Sequence, residues 1–228
     1  MARLKAARPA RPPHPARRRK AYHHGDLRRA LVDAGLRLVE EAGAEAVNVR
    51  EAARRAGVSP AAPFRHFPSR DALIAAIAAE AMRRFRREFD QSLAGLRSQA
   101  PLERLRAVGL AYLRWALRNP AHFEVLSTGR LFDHAASDAL LEDDRHIRAV
   151  AQQAVDDAAR ADDLRINRPA LVQWAGRAML YGFARMKIDG HFARWNVPAA
   201  DAEPIAEAML DLFIDGIARR PKPAAKLG

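Results

Sequence analysis

Apolar residues recur at three- and four-residue intervals along nearly the whole chain, and no stretch alternates convincingly with period two. After Asp26, the residues Leu27, Ala30, Leu31, Ala34 and Leu38 fall on one helical face, and Gly43 supplies a left-handed end. Asn48 followed by Glu51 three residues on is a variant of the capping box. It predicts a short helix from Val49 to Ala56, stopped at Gly57. Ser59, with Pro60 at the first helical position, predicts a third helix, which Pro68 limits to Phe67. Pro63 removes one early backbone donor from it. Ser69 caps a fourth helix, in which Leu73, Ile77, Ala81, Phe85 and Phe89 form a stripe of four-residue steps. A stripe that long makes this helix the spine joining the N-terminal unit to the rest. Gly95, Ser98 and Pro101 interrupt the pattern, and helices are then expected near 102–118, 120–127, 137–161, 168–188 and 201–219.

The fold class is therefore all-α. At 228 residues the chain can bury a core without covalent staples. The absence of cysteine excludes a disulfide framework, a thiolate metal site and a cysteine nucleophile. No apolar run reaches the length of a transmembrane helix and no secretory leader precedes the first helix, so a cytoplasmic protein without a membrane partner is expected.

Charge divides the chain unevenly. The net charge is +12, of which residues 1–20 carry +8 with no acid at all. Residues 21–70 and 71–228 carry +2 each. A proline-containing tail of like charges cannot pack a core, so residues 1–21 are expected to form a disordered basic tail that adds contacts to a polyanion. The remaining division is an N-terminal unit over 22–70, a larger helical unit over 71–220, and a flexible end over 221–228.

Residues 48–67 (NVREAARRAGVSPAAPFRHF) place two short helices around a tight turn at Gly57, with small residues where the helices must cross. That is the spacing of a helix-turn-helix, and equally of an ordinary helical hairpin; the adjacent basic tail favours the first. No catalytic motif accompanies it: there is no Gly-rich phosphate loop, His-Glu-x-x-His, Gly-x-Ser-x-Gly or Asp-x-Asp loop, and an enzyme is not expected. No cofactor is implied. The adjacent His23 and His24 lack a second pair of ligands nearby, so no metal is expected. The acidic cluster Glu142, Asp143 and Asp144 is read as a solvated helix face.

The order Asn48, Ala53, Gly57-Val58-Ser59, Phe64, Phe67, Arg70 and Leu73 resembles the TetR-type (tetracycline-repressor-like) regulators. YHHGDLRRALVDAGLRLVEEAG upstream is similar to that family's first helix, so the likeness covers about residues 22–80. YLRWALRNPAHFEVL (112–126) also resembles the C-terminal domain of one branch of the family. That branch carries a Trp-x-x-x-His-Gly-like motif. Here Tyr181-Gly182 stands in its place, with Trp174 at a different spacing.

The resemblance implies a DNA interface made of Asn48, Arg50, Ser59, Ala61, Ala62, Phe64, Arg65, His66 and Arg70. Arg50 falls at a base-reading position, and arginine suits the O6 and N7 acceptors of guanine. Ala61 and Ala62 offer only apolar contact, for instance to a thymine methyl. Arg65 reaches a base or a phosphate. His66 and Arg70 fall at phosphate positions, and Asn48 brings a helix N-terminus to a phosphate. Phe64 replaces the family's usual tyrosine, keeping the packing surface and losing a phosphate-touching hydroxyl. With Phe67 it is expected in the core. Arg50, Arg54, Arg55 and Arg65 have the alternative role of solvating helix faces.

In the C-terminal half, Tyr112, Trp115, His122, Phe123, Trp174 and Arg177 are candidates for a pocket between helices, with Arg130 and Gln173 as further polar candidates. Most of the aromatics are equally suited to a core. By the resemblance residues 22–70 bind DNA, residues 71–220 bind ligand and dimerise, and the last two helices form a homodimer contact through Tyr181, Arg185, Met209 and Phe213. One face is marked by Trp174, Ala178, Tyr181, Arg185 and Ile188, the other by Ile205, Met209, Leu212, Phe213 and Ile217; the alternative is that both faces close an intramolecular core. The function implied is a sequence-specific transcriptional regulator, a ligand-responsive repressor binding a pseudo-palindromic duplex operator as a homodimer. Its partners would be double-stranded DNA, itself and an unidentified small-molecule effector. The alternatives are a non-specific DNA-binding accessory protein driven by the tail, and a helical-bundle small-molecule carrier.

Overall fold

The computed structural model describes residues 24–59, 61–98, 100–128 and 137–219. The basic tail, Tyr22, His23 and Arg130 lie outside them. Every regular element among the described residues is helical: α1 His24–Ala42, α2 Val49–Arg55, α3 Arg70–Ala94, α4 Pro101–Arg118, α5 Pro120–Ser127, α6 Asp138–Arg160, α7 Pro169–Ile188, α8 His191–Arg194 and α9 Ala202–Ile217. One isolated antiparallel bridge joins Leu164 to Ala218.

The starts predicted at Asn48 and Ser69 match the chemistry at those termini. Asn48 Oδ1 accepts the Glu51 amide at 2.8 Å, and Ser69 Oγ accepts the Ala72 amide at 3.1 Å, each satisfying an amide that its helix leaves open. Gly57 turns the chain between α2 and the next element at φ +71°, a conformation that L side chains rarely adopt. Gly35 is required for another reason. A Cβ there would stand 2.4 Å from Ile77 Cδ1, so its absence lets α1 cross α3 closely.

The third helix differs from expectation. Residues Ala62–Arg65 form a single 3₁₀ turn, and Ser59 contributes no side-chain cap to it. Pro63 has no N–H, so the α-type bond back to the Ser59 carbonyl cannot form. The Ala62 amide takes that carbonyl instead, at 3.1 Å. The amides of His66 and Phe67 then both converge on the Pro63 carbonyl at 2.8 Å. The spacing pattern also gives no sign of α8, which is one turn begun by Gly190 in the left-handed region.

α3 is the spine that its stripe predicts. Leu73, Ile77, Ala81, Phe85 and Phe89 are all buried. Its first half packs with Leu31, Ala34, Ala53 and Phe67 of the N-terminal unit. Its second half packs with Val108, Trp115 and Phe123 of the bundle, in one continuous core. Arg84 ties α3 to Asp33 of α1 at 2.9 Å, and Arg86 ties it to Asp143 of α6 at 2.6 Å. Asp144 is likewise paired, with Arg148 at 2.6 Å, so Asp143 and Asp144 are ion-pair members rather than an idle solvated face.

Candidate nucleic-acid interface and bundle cavity

The arginines of the N-terminal unit divide into two groups. Glu51 binds Arg54 through two hydrogen bonds of 2.8 and 2.6 Å and Arg55 through one of 3.1 Å. Those bonds hold its carboxyl down to about 2. Arg55 also reaches Glu41 at 2.6 Å, across to α1. Arg50 and Arg65 are exposed and have no ion-pair partner among the described residues. Arg50 is one residue into α2, and Arg65 ends the 3₁₀ turn. These two cations therefore flank the helix-turn-helix with their donors uncommitted.

Two expectations at this site are corrected. Phe64 is 44% exposed and does not join Phe67, which is 2% exposed. On the shortened turn, buried Pro63 and Phe67 occupy the inward side four residues apart, which leaves Phe64 outward beside exposed Ala61. Arg70 is turned inward. Its Nε donates to the Val47 carbonyl at 2.9 Å and its Nη2 to the Ala44 carbonyl at 3.1 Å, with Glu45 at 3.3 Å. Its guanidinium fastens the loop before α2 to the start of α3 instead of being held out for a phosphate. Ala62 and His66 are half-buried, and Ser59 is exposed.

The second feature is a cavity of about 220 Å³ among α3, α4, α5, α6, α7 and α9. Tyr112, Trp115, Phe123 and Arg177 line it, as expected, together with Gln173. α3 contributes Met82, Phe85 and Phe89, and α6 contributes Asp144 and Arg148, none of which the sequence assigns to a pocket. The α3 stripe carries that signal: its last two members are aromatic and lie beyond the N-terminal unit. The rings pack on one another. Phe85 stacks on Trp115 with centroids 4.2 Å apart, and Tyr112 meets the edges or faces of Phe85 and Phe123 at 5.7 and 6.0 Å.

His122 and Trp174 do not line this cavity. On α5 the adjacent Phe123 takes the cavity side, so His122 falls on the side facing α1 and α3, in a separate hollow with Glu40, Arg118 and Asn119. Trp174 lies on the outer side of α7, 68% exposed. Among the dimer candidates, Tyr181 and Phe213 line the cavity, Met209 packs against the Leu113 cluster, and Arg185 is bound to Asp189 and to Ser127 Oγ. Tyr181 is exposed, and its hydroxyl donates to the Ser127 carbonyl at 3.3 Å. The large apolar residues that face out from α7 and α9 are Leu171, Trp174, Tyr181, Ile205 and Leu212. Trp174, Tyr181, Ile205 and Leu212 belong to the faces that the spacing marks on these two helices, whereas Met209 and Phe213 of the same faces pack inward, because apolar spacing alone does not say which stripe of a largely apolar helix is covered.

His122 is 6% exposed and its Nε2 has no hydrogen-bond partner among the described residues. Burial, aided by the Arg84 charge and opposed by Glu40, Glu88 and Glu80, pushes the imidazole below its ordinary value of 6.5. On acidification the unfolded chain therefore takes up the proton first. The stability contributed by the neutral ring is complete above pH 6.5 and is lost as the pH falls below it toward the lower folded value. Urea midpoints measured from pH 7.5 to pH 5 should decline for the wild type, and the decline should be shallower for His122→Phe.

Taken together, the all-α fold, the helix-turn-helix with outward cations and the bundle cavity are the arrangement of a DNA-binding regulator with a C-terminal helical bundle. Comparison with known proteins gives the family. The model described as "Bacterial regulatory proteins, tetR family" matches residues 31–77, and "Tetracyclin repressor-like, C-terminal domain" matches residues 105–213. The chain belongs to the TetR family of transcriptional regulators, which are not enzymes. It is 39% identical over 82 residues to the HTH-type transcriptional regulator BetI of Rhizobium meliloti (strain 1021), covering 36% of this chain and 39% of that protein. BetI of Brucella anthropi is 39% identical over 83 residues, 36% and 41% of the two chains. The match thus spans about two fifths of these relatives. A protein of unknown function from Rhodococcus sp. RHA1 superposes with a TM-score of 0.71 at 26% identity, over 88% of this chain and 100% of that one. The TetR family transcriptional regulator PfmR from Thermus thermophilus shares the fold with a TM-score of 0.63 at 21% identity, over 83% and 99%. No helix among the described residues is long and apolar enough to cross a membrane.

Proposed function

We propose that this regulator is a ligand-responsive repressor that acts in the cytoplasm and binds a pseudo-palindromic operator as a homodimer. In this reading residues 22–70 hold the DNA and residues 71–220 dimerise and bind the effector. The observation that carries it is the double membership of α3. One helix begins beneath the helix-turn-helix, at Leu73 and Ile77, and ends as a cavity wall, at Met82, Phe85 and Phe89. A ligand that displaces those rings moves the helix on which the DNA-binding unit is seated. If ligand and operator favour different positions of α3, each weakens the other's binding reciprocally, with a coupling of about 1–3 kcal/mol.

At the DNA, Arg50 and Arg65 supply base or phosphate contacts. Ala61, Ala62 and Phe64 offer apolar surface to base edges. Asn48, Ser59 and His66 lie along the backbone side. A recognition element of one 3₁₀ turn reads few bases, and a two-fold dimer doubles the site. The outward Leu171, Trp174, Ile205 and Leu212 are the surface proposed for that contact. Trp174→Glu combined with Leu212→Glu should halve the mass measured by light scattering at micromolar protein. An unchanged dimer would place the contact elsewhere.

The test of the whole reading is selection from random duplexes at physiological salt, by the full chain and by a chain lacking residues 1–20. An enriched inverted repeat that survives tail deletion supports the repressor reading. Binding without enrichment, lost with the tail, supports the accessory-protein reading instead. If the full chain neutralises about six phosphates, the log–log salt dependence of its affinity is about −5, and removal of the tail makes the slope shallower.

A further inference from the structure

We propose that the bundle cavity takes an amphipathic monocarboxylate, with an aryl or short acyl body among the rings and its carboxylate on Arg177. The proposal rests on the reading of the bundle as the effector-binding unit and names the chemical class that unit accepts.

The body of the ligand follows from the walls. They are aromatic and aliphatic, and a cavity of roughly 150 Å³ with such a lining holds a benzene-sized molecule. About 220 Å³ therefore admits a ring with a short chain. The head follows from the charges. Among the described residues, three charged side chains line the cavity: Asp144, Arg148 and Arg177. Asp144 and Arg148 neutralise each other at 2.6 Å. Arg177 has no acidic partner among the described residues, and it is exposed while lining the cavity, which places it at the mouth. Gln173, one helical turn before it on α7, adds an amide to the same wall. Tyr112 lies close enough to feel the Arg177 charge, and burial keeps its hydroxyl protonated well above the usual range. Arginine's planar fork matches a carboxylate through two parallel hydrogen bonds.

A cationic ligand is the obvious competitor in an aromatic cavity, through attraction to ring faces. Here the faces are partly consumed. Phe85 and Trp115 cover one another at 4.2 Å, and Tyr112 is set edge-on to Phe85 and Phe123. The one carboxylate in the wall is already paired. The net charge offered to a ligand is that of Arg177.

Isothermal titration of the full chain with 4-phenylbutyrate, 4-phenylbutanol and 4-phenylbutylammonium varies the head group on a constant body. The butyrate is expected to bind at least tenfold more tightly than the other two. Arg177→Leu should erase that preference and leave the affinity for the alcohol unchanged. Equal binding of acid and alcohol, tighter binding of the ammonium, no binding of any of the three at millimolar concentration, or an Arg177→Leu variant that still prefers the acid would each overturn the proposal. Operator affinity is measured separately, by fluorescence anisotropy with and without the butyrate. Tight Arg177-dependent binding that leaves operator affinity unchanged would overturn the effector reading and keep the cavity assignment. Release of operator by the alcohol or the ammonium, but not the acid, would do the reverse.

Discussion

Replacing Arg50 and Arg65 together with alanine is expected to lower operator affinity at least about 100-fold with no change in helix content or melting temperature. Each of these side chains is exposed and has no ion-pair partner among the described residues, so its removal leaves no buried group unpaired and costs the fold nothing measurable. Each good arginine–base contact is worth about 1–3 kcal/mol, and a dimer makes each contact twice. Two decades of affinity correspond to about 2.7 kcal/mol, well inside that range. Arg54→Ala with Arg55→Ala is the informative control, because it changes charge by the same amount. Those two arginines are held by Glu51 and Glu41 on the helix surface. Arg54 is exposed, while Arg55 and Glu51 are half-buried. Surface pairs of this kind contribute about 0–1 kcal/mol, so the control should shift the melting temperature slightly and affect operator binding far less. Anisotropy titrations of both variants on one operator decide the matter. Equal losses in the two would mean that bulk charge, rather than two positioned arginines, carries the binding.

The contrast between these pairs of arginines shows how much of the site is legible in the sequence. Asn48, Gly57 and Ser69 announce their roles because capping and left-handed turns depend on neighbours within three residues, and the structure places all three as expected. The α3 stripe is legible for the same reason: a four-residue repeat sustained from Leu73 to Phe89 has one buried side whatever packs on it. Pro63 has a larger effect than the loss of one donor suggests. A missing amide at the fourth position of so short a helix converts the element to a 3₁₀ turn, and Phe64 leaves the core as a result. Arg70 cannot be assigned from spacing, since its partners are carbonyls more than 20 residues away in sequence. The same holds for α7 and α9. Trp174 and Phe213 both fit helical stripes, and only the three-dimensional bundle sends the first to solvent and the second to the cavity. Local chemistry is visible in the chain, and long-range partnership is not.

Trp115 belongs both to the continuous core and to the cavity wall, and its substitution should have the largest effect on stability. The side chain is 1% exposed, stacks on Phe85 and lines the cavity. Truncating a buried tryptophan to alanine costs about 3–5 kcal/mol in lost burial and residual cavity. For a domain of this size that corresponds to a drop on the order of 10 °C. Trp115→Phe should behave differently. The indole Nε1 is buried without a hydrogen-bond partner among the described residues, and an unpaired buried donor costs about 1–3 kcal/mol. Phenylalanine removes that donor, retains a ring against Phe85 and should cost under about 1.5 kcal/mol. Urea denaturation at one fixed protein concentration, so that any dimerisation contributes equally, gives both values. A Trp115→Phe variant as unstable as Trp115→Ala would show that the shape of the indole, and not the burial of an aromatic ring, holds α3 against α4.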